Sequence, residues 1–408
     1  MAIDFWEPLH DLSFDMIHFR LHWQFCLLLM AFLSLGITQT TQACAWDYDT
    51  IAMERQRFPE AHELIVGYFV RHSDAYYQWR IEDRQKTPLE QRTPAQYDDI
   101  AVAYDKLGES PKAIQTILEK IDRFPDQGVY ESQANLGTFY IHNGELEKGL
   151  VHIKKAIEIN PDAHFGREIY QQLLVEYVIK CRHVNGDKKL PLIKEPSLHT
   201  REHFGYFVAE RLGHDFMDQS QFSKAAKGIK GMMRFGHYDS PILLEALGDL
   251  FSSGGRITDS KMLAARAYLK ASYAIDDPEQ KQIYRMKADE AIRMHEHISL
   301  ERIEKDLKNE LEQGKAFFTQ IENDEAQWVR QGKNLDQEFE KKYYNTDIPS
   351  LKVHWGLFEG TSKWTLVFLI LLVTSSLTIL LMAFRKLYMM IKRYTTSVNQ
   401  QPDAPSQT

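Results

Sequence analysis

Two short clusters in the chain hold side chains that could bind a metal ion. They are His295-Glu296-His297 and Cys181-Arg182-His183. Histidines two positions apart face different sides of a helix, and one Cys–His pair falls short of the three or four ligands of a zinc site. We therefore interpret the first cluster as solvated side chains and Cys181 as a lone thiol at the end of a helix.

Of two other clusters, one could bind an anion and the other a cation. Gly254-Gly255-Arg256 could cradle an anion, but no strand is predicted before it, so a flexible turn is the simpler interpretation. The carboxylates of Asp47, Asp49 and Glu54 could bind a cation, although solvated charge explains them equally well. Walker loops, Gly-x-Ser-x-Gly elbows and His-Glu-x-x-His helices do not occur in the sequence. We therefore expect no catalytic residues, no metal and no cofactor, and we do not expect an enzyme.

The composition limits the possible partners. The formal net charge is -8, which argues against a nucleic-acid binder because such a protein needs a basic face.

The 3 cysteines are Cys26, Cys44 and Cys181, and the first two fall in a segment that we expect to be removed. A disulfide framework is therefore excluded.

The N-terminus has the features of a signal peptide covering residues 1–45. The uncharged stretch 25–37 has the length of a signal-peptide core and is short for a membrane span. Ala43 and Ala45 are the small residues that a signal peptidase requires, and cleavage after Ala45 would release Trp46. The N-terminus of the mature protein would then lie outside the cytoplasm.

Alternatives for the N-terminus stay open. The apolar stretch could remain as an uncleaved anchor, or Cys44 could be acylated, although Thr41 stands where lipoprotein sites prefer leucine. The first residues are acidic where a signal peptide should be basic, and a start at Met16 would instead give an ordinary short leader.

A second apolar segment predicts a transmembrane helix. Residues 364–384 form a run of 21 without a charge, about 30 Å long as a helix. Four basic residues follow this span, whereas Lys363 alone precedes it directly. Because positive flanks stay cytoplasmic, the preceding bulk of the chain is expected outside and residues 385–408 form a cytoplasmic tail.

The middle of the chain is predicted to be all-α, because Gly and Pro separate helix-length segments and no alternating apolar runs occur. Two stretches share the same spacing of aromatic, small and apolar residues. The first is Tyr97-x2-Ile100-Ala101-x2-Tyr104 with Gly108, Ala113, Ile117 and Pro125. The second is Leu136-Gly137-x2-Tyr140 with Gly144, Gly149, Ile153, Ala156 and Pro161.

This pattern resembles the tetratricopeptide repeat, a helical hairpin that stacks into a solenoid. Small residues such as Gly137 and Gly149 would let two antiparallel helices approach closely. Pro125 and Pro161 would each end the second helix of a pair. Two weaker copies begin at Leu212-Gly213 and Leu247-Gly248.

The remaining segments complete the predicted organisation. The repeats are assigned to 94–278, with a further helix from His164 to Lys180 and an inserted loop near 182–200, and residues 46–93 to a helical cap with an aromatic face. Residues 279–345 are rich in charge, with Leu300, Leu307, Ile321, Trp328 and Leu335 on one heptad position. A long solvated helix acting as a stalk is favoured over a coiled coil there. Residues 346–363 would link the stalk to the membrane.

The resemblance implies a groove lined by the first helix of each repeat, in which a protein or peptide partner binds. Carried over to this chain, the groove positions are Asp98, Val102, Asp105, Lys106, Asn135, Thr138 and His142. Ordinary solvated helix faces are the alternative. The leading hypothesis is a scaffold or assembly factor anchored in a bacterial inner membrane with its repeats in the periplasm. The second is a ligand- or metal-sensing or transport-accessory subunit that signals through the stalk and the membrane helix.

Overall fold

The computed structural model describes residues 47–48, 53, 57–198, 200–253, 258–295, 298–346, 348–351 and 363–398. Within these ranges the chain is helical and has no strand, so the all-α prediction is confirmed. The predicted signal peptide and most of the linker lie outside the described residues, as do Gly254-Gly255-Arg256, Glu296-His297, Asp49, Glu54 and the end of the tail.

The helices are α1 (Ala61–Val66), α2 (Asp74–Gln85), α3 (Pro94–Lys106), α4 (Ser110–Arg123), α5 (Val129–His142), α6 (Leu146–Ile159), α7 (Arg167–Asn185), α8 (Phe204–Arg211), α9 (Gln219–Phe235), α10 (Pro241–Ser253), α11 (Thr258–Tyr273), α12 (Pro278–Ile292), α13 (Leu300–Arg330), α14 (Leu335–Phe339) and α15 (Lys363–Val398). From α2 to α7, each helix packs against the next one in the chain. The stack continues through α7, α9, α10, α11 and α12, and α8 packs on its side against α7 and α10.

The first two predicted repeats form helical pairs, α3 with α4 and α5 with α6. Each pair turns at a glycine with positive φ, +77° at Gly108 and +83° at Gly144. Pro125 and Pro161 follow the ends of α4 and α6, which confirms that they stand where the second helix of each pair ends. The spacing found in the sequence therefore marks real helical hairpins.

Close approach within the second pair depends on two glycines. A Cβ built on Gly137 would stand 2.5 Å from the side chain of Ile153, and one on Gly149 would stand 2.8 Å from the carbonyl oxygen of Gly137. No larger residue fits either position without moving α5 from α6. The predicted role of these small residues is confirmed.

The two weaker copies differ in outcome. Leu247 and Gly248 lie inside α10, where a Cβ on Gly248 would meet the ring of Tyr268 in α11 at 2.6 Å. In the third copy, however, α8 ends at Arg211, and Gly213 occupies the turn with φ +80°. Gly213 therefore matches the turn glycines of the first repeats and not the mid-helix position that we expected.

The segment between the repeats is packed against the rest of the fold. The helix predicted from His164 to Lys180 is present as α7, which runs on to Asn185. In the inserted loop after it, Leu192 is buried and its N–H donates to a carboxylate oxygen of Glu245 at 2.9 Å.

The long helix α13 does not project from the repeats, and the expectation of a stalk is corrected. It spans Leu300–Arg330 and packs against α1, α2 and α11. The heptad residues Leu307, Ile321 and Trp328 are buried by these contacts and not by a second chain. The apolar stripe of α13 is thus buried against other helices of the same chain.

A glycine marks the point where α13 crosses α1. A Cβ on Gly314 would run into the carbonyl oxygen of Val66, closer than any contact that a side chain tolerates. Near this crossing, Glu310 of α13 accepts two hydrogen bonds of 3.0 Å from Arg266 in α11. Burial raises the pKa of Glu310, but hydrogen bonds from His62 and Arg266 outweigh it and bring the pKa to about 2. Gly314 and Glu310 of α13 therefore both make tertiary contacts.

The N-terminal cap, residues 46–93, contacts both the first repeat and the late helices α13 and α14. The ring of Tyr68 lies 4.7 Å from that of Phe317 in α13, and the hydroxyl of Tyr76 donates to Asp336 in α14 at 2.7 Å. Arg84 of α2 bridges Asp99 in α3 and Asp336, at 2.8 and 2.6 Å. The aromatic face therefore packs on the returning C-terminal helices as well as beside the first repeat.

The last helix, α15, carries apolar side chains that lie exposed from 374 to 390. Among the described residues, no helix is long and apolar enough to cross a membrane. The transmembrane helix at 364–384 stays a prediction.

Candidate functional site

The predicted groove residues lie on one side of α3 and α5, but most are buried in contacts within the chain. Asp98, Val102 and Asn135 are at most 2% exposed. Thr138 and Asp105 are also buried, while Lys106 is half-buried and the side chain of His142 is 23% exposed. These positions are therefore not a row of solvated side chains, and their role in binding a partner stays a prediction.

Asp98 and Asn135 belong to a buried network with Lys120 of α4. The ammonium of Lys120 donates to both carboxylate oxygens of Asp98, at 2.9 and 2.7 Å, and the amide of Asn135 donates to one of them at 3.0 Å. Burial raises the pKa of Asp98 to about 7, against the opposing attraction of Lys120. The asparagine thus links neighbouring helices through its hydrogen bond to Asp98.

Asp105 and His142, from α3 and α5, meet a third side chain that the sequence did not single out. The Nδ1 of His142 lies 2.8 Å from Oδ2 of Asp105, and its ring centroid lies 4.7 Å from that of His237. His237 belongs to the turn between α9 and α10. Burial, with His142 and Lys106 nearby, lowers the pKa of His237 to about 4. Its imidazole is therefore neutral at pH 7.

The same turn is attached to α3 by Lys106. The ammonium of Lys106 donates to the carbonyl oxygens of Phe235, at 2.5 Å, and of Gly236, at 2.9 Å. Burial lowers the pKa of Lys106, and the attraction of Asp105 opposes this effect. The predicted groove position thus fixes the backbone beside His237.

A cavity of about 320 Å³ opens beside this cluster. Its wall is largely apolar and also includes two cationic side chains, Arg167 and Arg182. Thr138 and His142 contribute from α5, and His237 contributes from the turn. The apolar lining residues are Ile141, Leu146, Leu174, Val175, Val178, Met232, Phe235, Ile242 and Leu243. An apolar group could bind here with a polar or acidic end near the arginines.

Thr138 and Arg167 are themselves engaged in contacts around the cavity. The amide of Gln171 in α7 donates to the hydroxyl of Thr138 at 3.2 Å. The guanidinium of Arg167 lies over the ring of Phe235, 4.7 Å from its centroid. A hydrogen bond and a cation–π contact therefore link α5, α7 and the end of α9 around the cavity.

The other clusters from the sequence do not assemble into a site among the described residues. Cys181 is buried and free, and burial raises the pKa of its thiol to about 11. His183 is exposed on the same helix. Asp47 pairs with Arg80 at 2.8 Å.

Comparison with protein-family models, with curated proteins and with solved structures finds no match for this chain. The resemblance to tetratricopeptide repeats therefore depends on the residues and helical hairpins described above.

Proposed function

We propose that this chain is a membrane-anchored, extracytoplasmic helical-repeat protein of the tetratricopeptide type that binds a protein partner. The observation that carries the proposal is the apolar cavity between α5, α7 and the start of α10. Two predicted groove residues, Thr138 and His142, stand in its wall. The chain would act by holding this partner beside the membrane and not by catalysis.

The cavity determines the kind of partner segment that would fit. Its apolar wall favours burial of one or two apolar side chains, which is how a peptide anchors in a pocket. Arg167 and Arg182 lie at the same cavity and favour an acidic group next to those side chains. We therefore propose a segment with an apolar anchor and a neighbouring carboxylate.

The size of the cavity favours a second candidate function. About 320 Å³ lies at the lower end of the roughly 300–1,000 Å³ typical of small-molecule pockets. A small apolar acid would use the same wall and the same arginines. In that case the chain would be a ligand-sensing or transport-accessory subunit.

Membrane anchoring is supported by the last helix. The described side chains between 374 and 390 in α15 are exposed, and Ile379 and Met382, for example, are 68% and 67% exposed. A helix that is apolar on all sides requires an apolar environment, and residues 364–384 carry no charge over 21 positions. The basic residues after this stretch support a cytoplasmic C-terminus and an extracytoplasmic location for the repeats.

A photocrosslinking amino acid at Ile242 tests the partner hypothesis in the full-length protein in its native membrane. Ile242 lines the cavity, and Val184, 77% exposed on α7, is the matched control position. We expect a light-dependent protein adduct from position 242 and none from 184. Filling the cavity with Val175→Trp should abolish the adduct while the protein remains folded.

Each outcome of this experiment separates the hypotheses. Equal labelling from positions 242 and 184, or an adduct that survives Val175→Trp, would reject the cavity as the binding site. Absence of a protein adduct, together with a Tm that rises with a small apolar acid in wild type but not in Val175→Trp, would support the sensor instead.

A further inference from the structure

Three metal-ligating side chains from separate parts of the chain meet beside the cavity, and two of them, His142 and His237, also line it. Asp105 comes from α3, His142 from α5 and His237 from the turn after α9, and their possible ligand atoms all lie within 4.8 Å of one another. Two tetrahedral ligands bound at 2.0–2.1 Å stand about 3.3 Å apart. Small rotations of these side chains would therefore bring all three onto one ion.

We propose that Asp105, His142 and His237 bind one divalent first-row transition-metal ion, with Zn²⁺ as the best fit. Two imidazoles and one carboxylate are the donors that Zn²⁺ and its neighbours accept, whereas Ca²⁺ and Mg²⁺ require oxygen ligands. Three protein ligands leave a fourth position for water or an anionic group in the adjoining cavity. A site of this composition would belong to the zinc centres with three protein ligands, which bind an exchangeable ligand.

The surroundings orient two of the three ligands. Ser110 donates its hydroxyl to Oδ1 of Asp105 at 3.0 Å, which leaves Oδ2 facing His142. Lys106 holds the carbonyl oxygens of Phe235 and Gly236, the two residues before His237. Such outer contacts fix first-shell geometry in metal sites.

Charges near the site act in both directions. The ammonium of Lys106 opposes a bound cation, although its hydrogens are directed to two carbonyl oxygens. Asp239, two residues after His237, and the carboxylate of Asp105 favour it. A metal would replace the Asp105–His142 hydrogen bond with bonds to both groups and add His237, so α3, α5 and the turn after α9 would be joined.

Metal binding can be measured on the full-length protein in detergent, purified with a histidine-free tag and treated with a chelator. Co²⁺ serves as the probe because its visible absorption reports the coordination geometry, and Zn²⁺ is then added as a competitor. We expect one equivalent of Co²⁺ per chain with a tetrahedral-type spectrum, displacement by Zn²⁺, and a Tm that rises with the free metal concentration.

The variants assign the binding to these residues. His237→Gln should lower the affinity by more than about 100-fold, and Ser110→Ala by about 10-fold, since outer-shell losses cost 10–100-fold. His183→Gln, on the exposed end of α7, is the control and should bind as wild type. His237 is suited to the test because the structure gives its side chain a ring contact with His142 and no hydrogen bond to another described residue.

Two results would overturn the proposal. One is the absence of stoichiometric Co²⁺ or Zn²⁺ binding by the chelator-treated protein. The other is binding that persists unchanged in His237→Gln, which would assign the metal to adventitious surface histidines. Circular dichroism of each variant verifies that loss of binding does not reflect unfolding. The partner crosslinking experiment does not depend on either result.

Discussion

His72 and Glu325 are 253 residues apart in the sequence, yet the Nδ1 of His72 lies 2.7 Å from one carboxylate oxygen of Glu325. The other oxygen accepts the backbone N–H of Ser73 at 2.8 Å, next to the first turn of α2. Both side chains are buried. The long helix α13 thus supplies the acceptor for the backbone N–H of Ser73, the N-cap residue of α2, which lies near the start of the chain.

Glu325→Ala should destabilise the folded protein by about 1–3 kcal/mol, because it leaves buried donors at His72 and Ser73 without an acceptor. Denaturant unfolding of the full-length protein in detergent measures the change. Glu322→Ala, an exposed carboxylate one turn earlier, is the control and should stay within about 0.5 kcal/mol of wild type. Equal effects of the two substitutions would show that α13 does not pack on α2 in solution.

Gly314→Ala separates a packed helix from a free stalk by the sign of its effect. In a solvated helix the change stabilises by about 0.5–1 kcal/mol, because glycine is a poor helix former. In the packed fold the new methyl group meets the carbonyl of Val66, and we expect a loss of about 1–3 kcal/mol. Glu312→Ala, exposed on the same helix, provides the baseline for helix propensity. A Gly314→Ala variant that is more stable than wild type would support the hypothesis that α13 is a solvated stalk.

The Asp98–Lys120 pair predicts an asymmetric double-mutant cycle. Asp98→Ala strands the ammonium of Lys120 in the interior and should cost about 3–5 kcal/mol. Lys120→Met should cost less, because the pKa of Asp98, already raised by burial, allows the carboxyl group to take up a proton. The double variant should be more stable than the sum of the two losses implies. Strictly additive free energies of unfolding would contradict the buried pair.

His203 predicts a pH dependence of stability. Burial lowers its pKa, but Asp249, whose carboxylate lies 3.3 Å away, more than offsets this, and the net pKa is raised above 6.5. The folded state therefore favours protonated His203, so its contribution is complete below pH 6.5 and is lost as pH rises through the raised pKa.

The free energy of unfolding of wild type minus that of His203→Gln should accordingly be larger at pH 6 than at pH 8.5. Unfolding curves of both proteins at the two values measure it. His214→Gln, an exposed histidine after α8, is the control and should show no such trend. A difference that is constant with pH would show that the proton is not held by Asp249.

The proposed membrane topology predicts which parts of the protein a protease can reach. In osmotically opened cells carrying a C-terminally tagged chain, we expect the repeats to be digested, the tag to survive and the mature chain to begin at Trp46. Mass spectrometry of the N-terminus and detection of the tag measure both ends. The basic residues after the apolar stretch are expected to keep the C-terminus in the cytoplasm. A variant that neutralises all four should therefore contain a fraction of chains with the opposite orientation. These residues are Arg385, Lys386, Lys392 and Arg393. Protected repeats in the unaltered chain would place the partners in the cytoplasm.

Local pattern was a reliable guide to the helical hairpins. Gly137 and Gly149 identified a close helix pair, and Pro125 and Pro161 identified the ends of two helices, because these roles depend on residues near in sequence. The third copy failed because Leu212-Gly213 satisfies the motif by composition while Gly213 serves as a turn. A short motif does not distinguish a small residue inside a helix from one that ends it.

The solvent exposure of the predicted groove positions could not be predicted from the sequence, since it depends on distant segments. Asp98 and Asn135 were identified as a pair of positions on adjacent first helices, and they do meet. That Lys120 and burial remove them from solvent could not be read from helix periodicity. His237 carried no signal at all, because nothing in the pattern after α9 indicates which earlier helix the turn approaches.

The sequence by itself determined that the described chain is helical, where the second helix of each of the first two repeats ends, and which stripe of α13 is apolar, because these follow from short-range sterics and periodicity. Tertiary structure alone decided that this stripe meets α1, α2 and α11 of the same molecule, and that His237 joins Asp105 and His142. Each helix crossing adds its own angle and offset, so the position of a distant segment depends on all the crossings before it. A long-range contact such as His72 with Glu325 is therefore a property of the assembled stack.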